Sequence, residues 1–152
     1  MSDAVRVRGE AAEVSRAEAQ AVLSMLSDEQ RRARLADVLA AVDDGSVEGE
    51  DAAALGELLE LGLQTGRLRA VYGPEGEQAA LKVYRQLPRG RELGQTTREV
   101  TEALGALQGK QLETVRLQAT GPAAFLLTLG VDGLELSVRL DRQGARLNTV
   151  GV

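Results

Sequence analysis

Histidine, cysteine, tryptophan and isoleucine are absent from the 152 residues, and the aromatic complement is two tyrosines and one phenylalanine. No histidine means that the usual general base near neutral pH is missing. No cysteine removes disulfides, thiolate nucleophiles and the softer transition-metal ligands. With neither, the expectation is a non-enzymatic protein that needs no metal and no cofactor. No apolar run approaches the ~20 residues of a membrane span, and Met1-Ser2-Asp3-Ala4-Val5-Arg6 lacks the apolar core of a secretory leader. Lysine is scarce too: Lys82 and Lys110 stand beside sixteen arginines, a GC-rich coding bias of the bacterial kind. The expected setting is therefore the cytoplasm of a bacterium.

What the chain does have is a strong pattern at its C-terminal end. Asp132-Gly133 lies between two alternating apolar runs, and Asp-Gly suits a two-residue turn whose central residues both need positive φ. That turn sets Val131 against Leu134, Leu129 against Leu136, Leu127 against Val138 and Phe125 against Leu140. Opposed residues share a face of a sheet, and all eight are apolar. A loop at Asp141 to Gly144 continues the register, with Leu140 against Ala145 and Val138 against Leu147. A turn at Thr120-Gly121-Pro122 predicts Leu117 against Phe125 and Val115 against Leu127. Arg116, Gln118, Thr128, Glu135, Ser137, Arg139, Arg146 and Asn148 fall on the other face, which reads as wet.

Helical patterns fill the rest. Ser15-Arg16-Ala17-Glu18, Ser27-Asp28-Glu29-Gln30 and Thr96-Thr97-Arg98-Glu99 have capping-box spacing. The first helix is expected to bury Val22, Met25 and Leu26. Leu35, Val38, Leu39 and Val42 form one helical stripe. Leu55, Leu58, Leu59 and Leu63 form a second, and Ala80, Val83, Tyr84 and Leu87 a third. The last helix turns Val100, Ala103, Leu104 and Leu107 inward. Residues 67–72 read as short and extended, and residues 88–95 as a loop. The expected fold class is α+β, with about five N-terminal and central helices packed on one face of a C-terminal four-stranded antiparallel β-meander. Residues 1–14 are expected to be a flexible segment, and 15–152 one domain, helical over 15–109 and meander over 111–152.

Charge is uneven. Residues 1–66 hold 6 basic and 14 acidic groups, and residues 67–152 hold 12 and 9. The acidic turn Asp44 to Asp51 does not make a calcium loop, because aligning Gly45 with the loop glycine puts Ala40 and Val42 at ligand positions. The carboxylates Glu99 and Glu102, or Ser137 with Lys110, have no spacing that singles them out for catalysis. The basic segment 67–98 offers Arg85, Arg89 and Arg91 as candidate contacts for phosphate or for an acidic partner. The open edge of the last strand, Asn148, Thr149 and Val150, is a candidate pairing edge. The functional expectation is a protein-interaction or regulatory module that binds a protein partner or itself as a homo-oligomer. The alternative is a nucleic-acid-associated or phosphate-ligand-binding regulator that uses segment 67–98.

Overall fold

Glycines and polar runs divide the chain where the periodicity changes. A computed structural model, which describes residues 3–151, places eleven elements between them. They are β1 (Val5–Arg6), α1 (Glu10–Met25), α2 (Glu29–Asp43), β2 (Ser46–Val47), α3 (Gly49–Gln64), α4 (Arg67–Tyr84), α5 (Pro88–Gly105), β3 (Thr114–Gly121), β4 (Ala124–Val131), β5 (Leu134–Asp141) and β6 (Gly144–Gly151). The fold is α+β, and the chain divides into two compact units, one ending at Arg91 and the other starting at Glu92.

The first unit is helical. α1 packs on α2 and α4, and α3 packs on the same two helices. Leu35, Val38, Val42, Leu55, Leu59, Leu68, Ala80, Val83, Tyr84 and Leu87 are buried, so the helical stripes read from the sequence do face a core. Asp28 caps α2, its carboxylate accepting from the Arg31 backbone N–H at 2.8 Å.

Several elements differ from the expectation. Where the sequence reading puts a flexible segment, Val5 pairs with Val47 and Arg6 with Ser46, and α1 already begins at Glu10. Val5 and Val7 are buried, and that apolar burial holds the segment in place. The capping-box spacings at Ser15 and Thr96 lie inside α1 and α5 and cap nothing. Met25 is exposed at the end of α1. Residues 67–72 are helical, and α4 breaks only at Gly73. Residues 88–95 are the start of α5, with Pro88 as its first residue, a place where a missing N–H costs nothing.

The second unit is the meander, in the order β3-β4-β5-β6. Asp132 and Gly133 have φ of 50° and 77°, and the β4–β5 register is the expected one at all four apolar pairs. The β3–β4 register is shifted by two residues. Leu117 pairs with Leu127, Val115 with Leu129 and Ala119 with Phe125. The turn is at Pro122-Ala123, one residue later than expected, and a bulge at Thr120 takes up the extra residue. A two-residue shift keeps every side chain on its face. In β6, Val138 pairs with Leu147 but Ser137 with Thr149, so Asn148 is bulged out. The bulge brings Val150 opposite Leu136, onto the apolar face.

α5 and the turn that follows it supply the cover. Val100 and Leu107 form one core with Leu129, Val131, Leu136 and Val138, flanked by Ala103, Leu104, Leu127, Leu134, Leu140 and Ala145. The other face is not wet throughout, because Thr128 and Ser137, opposite each other in the two central strands, are buried.

Candidate functional site

Geometry decides how much of the apolar face one helix can hide. A helix with its side chains is about 10–12 Å across, and strands lie about 4.8 Å apart. One helix therefore covers about two strands. α5 lies on residues of β4 and β5, and most of the large apolar side chains of the outer strands stay in solvent. Val115 and Leu117 on β3 are 63% and 61% exposed, Phe125 at the start of β4 is 40% exposed, and Val150 on β6 is 59% exposed. All four belong to the face that carries the core. Every residue of β3 from Thr114 to Gly121 is exposed. This bare flank is the candidate interface.

The two edges of the sheet are built differently. β3 pairs with β4 without interruption from Thr114 to Ala119, and Arg116 is its single charge. β6 carries the Asn148 bulge within the stretch that the sequence marks as a pairing edge. Asn148, Thr149 and Val150 are all exposed there. The last residue of the chain, Val152, lies outside the described residues.

The basic candidates sit in the helical unit, and two of the three meet carboxylates. Arg89 makes a two-pronged contact with Glu60, its Nη2 donating to Oε1 at 3.1 Å and its Nε to Oε2. That contact holds the guanidinium charged, its pKa raised by the Glu60 hydrogen bonds and charge. Arg91 donates to Asp3 at 3.4 Å. Arg85 is exposed. Elsewhere in the basic segment, Arg69 meets Glu77 at 3.4 Å. An open groove of about 420 Å³ between α2 and α3 holds Arg31, Arg34, Asp37, Glu50 and Asp51, and Arg34 is bridged to Glu50 across it.

One polar cluster had no signal in the sequence. Glu18, 2% exposed, accepts from Arg67 Nε at 3.1 Å on both oxygens and from the Tyr72 hydroxyl at 2.8 Å. Burial, the hydrogen bond to Glu18 and the carboxylate charge push the Tyr72 phenol up to about 12. Ser15, one turn before Glu18 on α1, is fully buried, and its hydroxyl has no hydrogen-bond partner among the described residues. The cluster joins α1 to α4 and closes a charge that would be costly alone.

The remaining catalytic candidates do not converge. Glu99 and Glu102 are both exposed on α5, and Glu99 accepts from Gln95. The Ser137 hydroxyl lies 3.5 Å from that of Thr128, and Lys110 is exposed. Among the described residues no group of acidic side chains is placed to hold a metal ion, and no helix is long and apolar enough to cross a membrane. Compared with known protein families, with functionally described proteins and with solved structures, the chain matches none.

Proposed function

We propose that this chain is a non-enzymatic protein-interaction module, of a regulatory kind, and that its working surface is the bare flank of the sheet. One observation carries the reading: Val115, Leu117 and Phe125 stand in solvent on the same sheet face that buries Leu129 and Leu136. A clustered apolar patch on a folded protein marks a contact surface. The absence of histidine and cysteine supports the non-catalytic part, and the cytoplasm is the setting that the composition fits. The contacts of Arg89 and Arg91 with carboxylates favour a structural use of those side chains over phosphate binding.

The test is a photo-crosslinking residue placed at Leu117 in the full chain, beside a control at Glu135 on the opposite face. Discrete protein adducts from position 117, lost when Val115→Lys is added, are the expected result. Equal labelling from both positions, or none from either, removes the flank as an interface.

A further inference from the structure

We infer that the partner at this surface is a second copy of this chain, paired antiparallel through β3 about a two-fold axis at Leu117. The inference rests on the interaction-module reading and gives that module its partner. It begins from the sequence of the strand. Thr114-Val115-Arg116-Leu117-Gln118-Ala119-Thr120 reads the same in both directions by residue type: hydroxyl, aliphatic, polar, aliphatic, polar, aliphatic, hydroxyl.

An antiparallel strand reads its partner backwards. An axis at Leu117 thus sets Leu117 against its own copy and Val115 against Ala119, all within the stretch of β3 that precedes the Thr120 bulge. Each aliphatic side chain meets an aliphatic one, and all stay on the apolar face. Arg116 meets Gln118 of the second copy, so its guanidinium can donate to an amide oxygen and no like charges oppose. An axis at Arg116 would set two guanidiniums face to face. An axis at Gln118 would place Val115 against Gly121, beyond the Thr120 bulge. The pattern therefore selects one register.

The surroundings agree with that register. Among the described residues β3 is an outer strand of its sheet with no strand on its far side, and all of its residues are exposed. A bulge protects the β6 edge, a common guard against edge pairing, and β3 has no such guard between Thr114 and Ala119. Phe125 pairs with Ala119. In the proposed dimer Ala119 is flanked on its other side by Val115 of the second copy, and its small side chain leaves room for the Phe125 ring to reach across. The sheet would then run through eight strands, with the bare flanks of both copies joined along the axis.

The chain has no cysteine, so a single introduced thiol reports on its own copy. Directly opposed residues of antiparallel strands have Cα atoms about 4.5–5.5 Å apart, inside the range a disulfide bridges. In the full chain, Leu117→Cys is expected to form a covalent dimer under mild oxidation, and Val150→Cys is not. Sedimentation is expected to give twice the chain mass for the natural sequence. It is expected to give the single-chain mass for Leu117→Lys, with an unchanged circular dichroism spectrum.

A natural chain that stays monomeric at millimolar concentration and yields no Leu117→Cys dimer overturns the inference. If the crosslinker at Leu117 then captures a different protein, the interaction-module reading stands without the second copy. If it captures nothing, both fail. A dimer that survives Leu117→Lys and crosslinks through Val150→Cys also overturns the inference, and moves the contact to β6.

Discussion

The helical unit and the sheet unit solve the same packing problem with different amounts of cover. In the helical unit each of α1 to α4 has at least two helical neighbours, and its buried carboxylate, Glu18, is closed by Arg67 and Tyr72. In the sheet unit four strands share α5, and burial falls from Leu136 at 2% exposed to Leu117 at 61% on the same face. The difference teaches that an alternating strand pattern reports which side is apolar, and the width of the covering element decides how much of that side is dry.

The sharpest way to break the comparison is to add one carbon where the helical unit has no room. A Cβ on Gly90 would lie 1.9 Å from the Tyr84 carbonyl oxygen and 2.9 Å from Arg85 Cα. Backbone cannot step aside as a side-chain tip can. Gly90→Ala is expected to destabilise by on the order of 3 kcal/mol or more, read as a lower urea midpoint. A midpoint within error of the parent would show that the α4–α5 corner is looser than described.

Next comes a pair of truncations within one face. Leu136→Ala is expected to cost about 3 kcal/mol, the usual loss for a fully buried leucine. Leu117→Ala is expected to cost under about 0.5 kcal/mol in the monomer, as for other exposed positions. Equal costs would mean that the β3 flank is covered. Gly133→Val forces a β-branched residue to a φ of 77° and is expected to cost about 1–3 kcal/mol. An unchanged chemical-denaturation midpoint would remove Asp132-Gly133 as the turn that sets the register.

Two smaller effects concern charge. The Tyr72 phenol is raised from 10.0 to about 12, so the folded state holds its proton more tightly than the unfolded chain. Its contribution is complete below pH 10 and is lost as pH rises toward 12. Tyr72→Phe is expected to cost about 1 kcal/mol at neutral pH and to flatten the alkaline fall in stability. An alkaline limb identical in both proteins would detach Tyr72 from Glu18. In the sheet unit, Asp141 accepts from the Gln143 backbone N–H at 2.8 Å and from Arg146 and Arg139 at 2.8 and 3.2 Å. The Gln143 hydrogen bond comes first among the causes that hold its carboxyl below 3.8, and the two arginines add to it. Its contribution is present at neutral pH and fades as pH falls through that lowered value. Asp141→Asn is expected to remove this acid-side dependence and change little at pH 7, as thermal melts across the acid range would show.

Much of the fold was legible in the residues, and the exceptions share a cause. The Asp132-Gly133 turn, the β4–β5 pairs and the stripes of α2 to α5 follow from local chemistry and spacing. The spacing Ser15 to Glu18 reads as a helix cap, and it lies inside α1 because Glu18 answers to Arg67 and Tyr72, far away in sequence. No window of adjacent residues contains that partnership. Thr96 and Thr97 misled in another way. Their hydroxyls donate to the Leu93 carbonyl within α5, an internal use of the residues that also start helices. The candidate interface was half legible. Val150 was marked as an edge residue, but its place on the apolar face depends on the Asn148 bulge, and the exposure of β3 depends on the reach of α5.

The short pairing of Val5 with Val47, extended by the Val7 N–H donating to the Gly45 carbonyl at 3.0 Å, has a consequence in time. The meander is assembled from strands that follow one another in sequence, so each new contact closes a loop of a few residues, and contacts of that kind form early. β1 must wait for both α1 and α2 to be made and folded back before β2 exists to receive it. During synthesis β1 therefore stays unmatched through the next forty or so residues. The later, sequence-local sheet can zip up hairpin by hairpin as it emerges.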